Sequence, residues 1–362
     1  MSKTEQNRTR LLEAPVGKTL ARLAAPMVLG VLSMVAYNLA DTFFVGRLGK
    51  DQLAALTYTF PVVLTIGSIA LGIGMGAAAV VSRAIGAEDY RGVRRLATDS
   101  LMLGLLIIVV GVAIGLLTID PLFSLLGAEG EVLSLIGDYM RIWYVGMVFV
   151  VVPMIGNNIL RGTGDSRTPG FVMTLGATVN VVLDPILVFG LGPVPALGIR
   201  GAALATVIGR AITFVYSMYV IVRREKLLSL RVERLGEVWS SWKQILAVGV
   251  PNAGAKIIVP VGQGIITRII SAYGAAAVAG FGVGTRVEFF SLAAVSALST
   301  VIGPFVGQNF GAGKLDRVRA AFRASRRFSS LSGFGIFLVY LPLAGLVSRV
   351  FSQDPNVVSA SI

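Results

Sequence analysis

Residues 20–45 read LARLAAPMVLGVLSMVAYNLADTFFV, and this stretch decides the class of fold. It is longer than the roughly 20 residues that an apolar helix needs to cross a bilayer. Its only charges are Arg22 near the start and Asp41 near the end. An ionised acid at bilayer depth costs several kcal/mol, roughly 3 on insertion scales. Asp41 is therefore predicted to face a bundle interior or wet cavity, although an acid near a helix end also reaches the headgroups.

The composition of the whole chain indicates the same class. Hydrophobic residues make up 55% of the chain and charged residues 14%, with a mean hydropathy of +0.79, whereas a soluble domain carries about a quarter charged residues. We therefore predict an all-α integral membrane protein. Nine apolar stretches have spanning length: 20–45, 53–81, 98–119, 132–155, 168–191, 198–222, 244–270, 276–306 and 328–350.

A second acid, Asp184, lies in the fifth stretch, within FVMTLGATVNVVLDPILVFGLG (171–192). Asn180 precedes it by four residues, so both side chains lie on one helix face. Pro185 has no N–H, which frees a backbone carbonyl one turn earlier. Together with Asp41, this face predicts a sodium or proton site. Two carboxylates close together cannot both ionise cheaply, so one of them is expected to hold a proton.

The net charge of +13 follows from where the basic residues lie. Lys and Arg concentrate in the N-terminal tail and in the connections after the second, fourth, sixth and eighth stretches. The alternate side has only Arg47, Lys50, Arg200 and Arg349. By the positive-inside rule, the N-terminus and the basic side are predicted to be cytoplasmic. The basic segments lack the interleaved aromatic residues that indicate nucleic-acid binding, so we expect no nucleic-acid partner.

The chain also contains an internal repeat. When the sequence is aligned with itself at a single ungapped offset, helix prolines and loop glycines of the first three stretches match those of the last three. This offset places Pro26 on Pro251, Thr42 on Thr267, Gly49 on Gly274, Val81 on Val306, Gly86 on Gly311 and Arg94 on Arg319. Six stretches separate the copies, an even number, so both copies have the same orientation. This pattern predicts two six-helix bundles related by a pseudo-twofold axis along the membrane normal, which is a transporter architecture.

The repeat defines the expected domains. Residues 1–222 are predicted to form a six-helix N-terminal lobe, 223–243 a cytoplasmic linker and 244–362 a second lobe. The same shift places Ile362 opposite Gly137, just inside the fourth helix of the first copy. The second lobe is therefore expected to hold only helices 7–9, with the chain truncated before helix 10.

Several motifs resemble those of the multidrug and toxic compound extrusion (MATE) transporters, in their DinF-like branch. They are Pro26 followed by Asp41 in the first stretch, DTFFVGRLG (41–49), NNILRGTGDSRTP (157–169), NVVLDPILVFG (180–190) and VGQNFGAGKLDRVRAA (306–321). The resemblance covers essentially the whole chain. It implies two lobes around a V-shaped cleft, and export of amphipathic, often cationic, drugs driven by a proton or sodium gradient.

The resemblance also implies roles for individual residues. Asp41, Asn180 and Asp184 would couple transport to the cation, with Na⁺ one possible occupant. Related transporters add a threonine near the start of helix 6. Here that segment reads GIRGAALAT (198–206), with Thr206 a turn later than expected, which makes direct sodium coordination less certain than the acid pair.

Other residues are expected around the cavity. Tyr37 and Asn38 lie one turn before Asp41, so they can line the same space. Tyr139 and Asn157 are further cavity candidates by resemblance, and Glu288 is an acid of the second lobe that either faces the cleft or pairs with a basic neighbour. By resemblance, bending of the first helix at Pro26 couples protonation to the cleft. These cavity candidates are acidic or neutral.

The sequence leaves three functions to distinguish. The first is a cation-coupled drug exporter. The second is an exporter or flippase of a lipid-linked or other amphipathic metabolite, whose cavity would carry several basic residues. The third is a membrane enzyme, which is disfavoured because neither an HExxH nor a GxSxG motif is present and the chain has no Cys and no His. We expect no cofactor besides the coupling ion, small amphipathic substrates and lipid as partners, a monomer, and a multi-pass location in a prokaryotic cytoplasmic membrane.

Overall fold

The computed structural model describes residues 3–191, 194–229, 234–272, 277, 281, 284–285 and 288–351. The elements of these residues are helices. They are α1 (Lys3–Glu13), α2 (Val16–Gly46), α3 (Lys50–Gly86), α4 (Tyr90–Leu125), α5 (Gly130–Val145), α6 (Met147–Gly162), α7 (Arg167–Phe189), α8 (Ile199–Tyr219, continued by a π-helical turn Val220–Arg224), α9 (Leu235–Ser271), α10 (Ala293–Gly311) and α11 (Leu315–Phe351). Among the described residues, six helices are long and apolar enough to cross a membrane, or seven if one bent pair counts as a single span.

That bent pair is the predicted fourth stretch, 132–155. It forms two helices, α5 and α6, which meet at Gly146 with a bend of 49°. A Cβ at Gly146 would collide with the side chain of Val207 on α8. The absence of a side chain therefore lets the bend pack directly against α8, which carries part of the candidate site.

One other predicted boundary differs from the structure. The linker predicted over 223–243 ends early, because α9 begins at Leu235. Trp242, inside the predicted linker, donates its indole N–H to the carbonyl of Asp99 on α4 at 3.0 Å, which attaches the start of α9 to the first lobe. Only part of the eighth stretch, 276–306, lies in the described residues, where it continues into α10.

The first lobe packs around a core of large apolar side chains from α3–α6 and α8. Phe123, Ile136, Met140 and Ile155 are fully enclosed there. Burial of each such side chain contributes on the order of 2 kcal/mol in a water-soluble protein. Inside a bilayer lipid tails are equally apolar, so close van der Waals packing holds the helices together instead.

Small residues bring the two lobes into contact. On α3, a Cβ at Gly72 would lie 2.6 Å from the Gly249 carbonyl oxygen of α9, and one at Gly76 would collide with the Ile245 carbonyl. The segment GIGMGAAAV (72–80) thus permits backbone-to-backbone contact between α3 and α9. The repeat-related pair, α2 and α10, packs through a smaller apolar cluster that includes Met27.

The pseudo-twofold relation appears in a reciprocal contact between α3 and α10. A Cβ at Gly86 would collide with the carbonyl of Gln308, and a Cβ at Gly311 would collide with the carbonyl of Arg83. The repeat shift relates Gly86 to Gly311 and Arg83 to Gln308. An isologous contact of this kind is what a twofold axis produces. The structure therefore confirms the parallel repeat.

The predicted basic connections gather at one end of the bundle, which we call the tail face. Arg8 of α1 donates to the carbonyls of Ile85 and Gly86 and pairs with Glu88 at 2.6 Å. Arg224 pairs with Asp165 at 2.6 Å.

At the opposite face, Arg200 pairs with Asp138 at 2.8 Å, and the Tyr58 hydroxyl donates to the Gly127 carbonyl at 3.3 Å. Arg200 lies at the start of the sixth predicted stretch, and Gly127 precedes the fourth. Alternate connections therefore lie at opposite faces, as the charge pattern predicts.

Candidate functional site

Asp184 of α7 is the centre of the candidate site. Its side chain is 0% exposed, and Asn180, one turn earlier, is 3% exposed. The Asn180 amide orientation that satisfies its neighbours donates to Asp184 Oδ2 at 2.8 Å. In that orientation the amide oxygen accepts from the backbone N–H of Thr206 at 3.1 Å and from its hydroxyl at 3.3 Å. Asn180 thus connects Asp184 on α7 to Thr206 on α8.

Asp41 and two tyrosines surround this group. Asp41 of α2 interacts electrostatically with Asp184. Tyr37, one turn before Asp41, lies close to Thr206. Tyr139 of α5 is 5% exposed and lies within electrostatic range of Asp41, Tyr37 and Asp184. Four helices, α2, α5, α7 and α8, therefore converge on the acid pair that the sequence predicts.

Both acids have an oxygen available for a proton or a cation. Asp41 Oδ1 and Asp184 Oδ1 are buried and have no hydrogen-bond partner among the described residues. A buried oxygen acceptor without a partner costs free energy unless a proton, ion or water satisfies it. Carboxylate, amide and hydroxyl oxygens are also the ligands of hard cations. The donor set of Asp41, Asn180, Asp184 and Thr206 therefore fits either H⁺ or Na⁺.

A small pocket of about 30 Å³ opens beside these residues. Its lining includes side chains of the predicted site together with apolar and small residues of α2, α7 and α8. The lining residues are Met34, Tyr37, Met173, Gly176, Ala177, Asn180, Thr206, Gly209 and Arg210. Thr206 and Arg210 are four residues apart on α8, so they present one face to the pocket.

Arg210 was not among the residues predicted from the sequence. The expectation of an acidic or neutral cavity is therefore incomplete, because the lining of this pocket contains a guanidinium. The sequence does contain a signal for Arg210. It is a charged residue inside the sixth apolar stretch, and a charge within such a stretch is the feature that identified Asp41 and Asp184 as functional candidates. That feature identifies a functional candidate, whereas the shared pocket emerges only when α7 and α8 pack together.

Three predicted cavity residues do not line this pocket. Asn38 is exposed and does not line the pocket. Asn157 of α6 is 9% exposed and accepts from Ser217 at 3.3 Å, so its described partner is on α8 outside the pocket. Glu288 is exposed in the second lobe.

Pro26 lies inside α2, where α2 packs closely against α7. A Cβ at Gly170 of α7 would collide with the Pro26 carbonyl, and one at Gly30 would lie 3.1 Å from Met173 Cβ. Proline removes one helical hydrogen bond, and the adjacent glycine leaves its carbonyl accessible. This geometry is compatible with the predicted hinge.

Comparison with known proteins places the chain in a family. The family model described as MatE matches residues 26–186 and 251–362, on both sides of the interlobe connection. The chain belongs to the MATE family. It is therefore a multi-pass membrane protein of a transporter family, with the MATE fold of two helical bundles.

Curated MATE relatives differ in their named substrates. The chain is 38% identical over 355 residues to a FAD transporter of Shewanella oneidensis, covering 97% of this chain and 78% of the relative. It is 31% identical over 351 residues to a probable multidrug resistance protein NorM of Thermotoga maritima, covering 96% of this chain and 74% of the relative. Similarity to both extends over most of each protein.

Solved MATE structures have the same fold. A multidrug resistance MATE family transporter in an outward-facing conformation matches with a TM-score of 0.91 and 29% identity, covering 98% of this chain and 78% of the other. A transporter of the MOP superfamily from Pyrococcus furiosus, whose binding pocket is described as having reverse polarity, matches with a TM-score of 0.87 and 28% identity. That second match covers 98% of this chain and 78% of the other.

Proposed function

We propose that this protein is a cation-coupled exporter of amphipathic small molecules, working by alternating access of its two lobes. The proposal includes Asp41 and Asp184 as the coupling acids, H⁺ or Na⁺ as the coupling ion, and a cytoplasmic N-terminus in the cytoplasmic membrane of a prokaryote. A monomer in lipid is the simplest functional unit for this architecture. Export of drugs is supported by relatives named as multidrug proteins.

The observation that carries the proposal is the enclosed carboxylate of Asp184 beside a pocket. It is fully buried, tied by Asn180 to Thr206, and adjacent to a second acid. Intramembrane acids of this kind belong to ion or proton pathways by default. A purely structural acid would pair with a basic residue, and neither Asp41 nor Asp184 has an ion pair among the described residues.

The geometry suggests how an ion and a substrate would be linked. Tyr37 and Asn180 line the pocket and also adjoin the acids, so both change surroundings when the acids are neutralised. A proton or Na⁺ at Asp184 would alter the hydrogen bond that Asn180 donates. Movement of α2 about Pro26 would then change the pocket between α2 and α7. A ligand can shift such an equilibrium only by its different affinities for the two states.

A second candidate function is export of an anionic amphipathic metabolite such as a flavin nucleotide. The relative named as a FAD transporter supports it, as does Arg210 in the pocket lining. This candidate shares the acid pair and the alternating access, and it differs from the first in the charge of the substrate. It is also the closest counterpart of the metabolite exporter that the sequence left open.

Transport by the full protein in proteoliposomes tests the proposal. Liposomes loaded with a cationic dye, or with a flavin nucleotide, are given a sodium gradient or a pH gradient separately. We expect efflux that depends on at least one gradient and disappears when both are removed. Equal efflux with and without gradients would overturn coupling, and no movement of either compound would overturn the exporter.

A further inference from the structure

We propose that Arg210 is a substrate-binding residue that makes the first-lobe pocket prefer amphipathic molecules bearing a carboxylate or phosphate group. The inference rests on the proposed transport function and specifies the substrate class of its pocket. It starts from a charge that the coupling mechanism does not use. Arg210 is neither one of the acids nor a ligand of their cation.

Arg210 lies at a depth in the bilayer where a charged side chain is costly in free energy. α8 runs Ile199–Tyr219, and Arg210 is near its middle, roughly 15 Å along the axis from either end at 1.5 Å per residue. Long basic side chains near helix ends extend to the headgroups. A guanidinium at mid-helix that lines a pocket instead marks a ligand path by default.

The surroundings of Arg210 leave its guanidinium available. Among the described residues it forms no ion pair, and no carboxylate lines its pocket. Asp184, the predicted acid on α7, is fully buried and bonded to Asn180, and Asp41, one turn after Tyr37, is not part of the lining. The charge that a molecule in the pocket meets is therefore the guanidinium rather than an acid.

The rest of the lining suits an amphipathic body. Met34 and Met173 offer polarisable thioethers, which pack well against aromatic rings, and Tyr37 adds an aromatic side chain with a hydroxyl. Arginine presents a planar fork of N–H donors that matches a carboxylate or phosphate bidentately. An inside-negative membrane potential favours outward movement of an anion, so the field does not oppose this substrate class.

The test compares two dyes that share a xanthene ring system and differ in charge. Binding of carboxyfluorescein and of a cationic rhodamine ester is measured on the purified full protein, with Arg210→Gln and the control Arg223→Gln. Arg223 lies in the same span but is exposed in the π-helical turn. We expect Arg210→Gln to weaken carboxyfluorescein binding by about tenfold relative to the rhodamine, and Arg223→Gln to change neither.

The outcomes separate this inference from the proposed function. Equal effects of Arg210→Gln on both dyes, or no carboxyfluorescein binding by the unmodified protein, would overturn the role of Arg210. If Arg210→Gln does not fold, Arg210→Lys retains the charge and loses the fork; severalfold weaker binding of carboxyfluorescein alone is then expected, and unchanged binding overturns the role. Selective binding without gradient-driven transport would contradict the exporter and leave the assignment of Arg210 intact.

Discussion

At the scale of single residues, the site combines two kinds of charge with different surroundings. Asp184 is enclosed and hydrogen-bonded, Asp41 has one buried oxygen without a partner, and Arg210 lines the pocket. Coupling requires a group whose charge changes, and a guanidinium keeps its proton at all physiological pH values. The acids are therefore the groups that can respond to the ion, whereas Arg210 provides a constant field.

Replacement of Asp41 by Asn keeps the shape of the side chain and removes its ability to ionise. We expect gradient-driven efflux to fall to the rate of liposomes without protein, because the coupling ion loses one of its two acids. Membrane insertion and the amount of folded protein should remain unchanged. Efflux of a loaded dye from proteoliposomes measures the effect.

Glu129→Gln is the control for that experiment, since Glu129 is an exposed acid at the opposite face with no side-chain cap bond on α5. It should transport at the unmodified rate. A normal rate in Asp41→Asn would show that Asp41 is not a coupling residue.

At the scale of helices, several contacts join the lobes at the tail-face side, and two of them differ in kind. One is the glycine packing of α3 on α9, and the other is α1. Carbonyls at the end of α1 accept from the second lobe: Leu11 from Arg317 at 2.9 Å, Ala14 from Arg317 at 2.6 Å, and Leu12 from Lys314 at 3.2 Å. Cations at a helix C-terminus satisfy its free carbonyls and its dipole. Since Arg8 binds the first lobe, α1 bridges both lobes.

The glycine packing predicts that valine substitutions at two positions on α3 differ strongly in their effect on thermal stability. Gly76→Val places a branched side chain against the Ile245 carbonyl of α9, and overpacking of this kind costs about 1–3 kcal/mol. We expect a lower Tm for the purified protein. Gly67→Val is the matched control, because nothing lies within 4 Å of a Cβ there. Equal Tm values for the two variants would contradict the packing.

Because α1 bridges the two lobes, we expect that loss of its contacts with Arg317 makes the buried face of α1 more accessible to reagents. A cysteine replacing Leu11, which is 0% exposed, should react slowly with a thiol reagent. Arg317→Gln removes donors to Leu11 and Ala14, so the reaction rate should rise severalfold. Arg319→Gln, whose exposed side chain contacts Asp316 only at 3.4 Å, should leave the rate unchanged. Identical rates in the two backgrounds would show that Arg317 does not hold α1.

At the scale of the whole molecule, the arrangement of faces sets the orientation in the membrane. The tail face gathers α1 and the basic connections, while the Arg200–Asp138 pair lies at the opposite face. The positive-inside rule predicts that the tail face is cytoplasmic. The close interlobe contacts also lie towards the tail face.

Cysteine labelling in cells tests that orientation on a chain with no native cysteine. Arg94 and Glu129 are both exposed, one at each end of the α4 region. A membrane-impermeant reagent should label Glu129→Cys in intact cells, and Arg94→Cys only after the membrane is opened. The reverse pattern would overturn the charge-based topology.

The sequence by itself determined the membrane class and the repeat, and it singled out the intramembrane acids Asp41 and Asp184. Each of these conclusions follows from a local property of the sequence. The properties are the length of an apolar run, the common offset of matching prolines and glycines, and the free-energy cost of a charge within an apolar run. The i, i+4 spacing also placed Asn180 and Asp184 on one face, since helical geometry does not depend on the rest of the chain.

Tertiary structure decided which faces meet. The bond from Asn180 to Thr206, the break at Gly146 and the presence of Arg210 in the pocket all depend on how closely one helix approaches another. That approach is set by small residues on two distant segments at once, as at Gly72 and Gly249. A single segment specifies its own apolar and polar faces, but the partner of each face is selected by shape complementarity across the bundle, because lipid offers apolar faces no preference between helices.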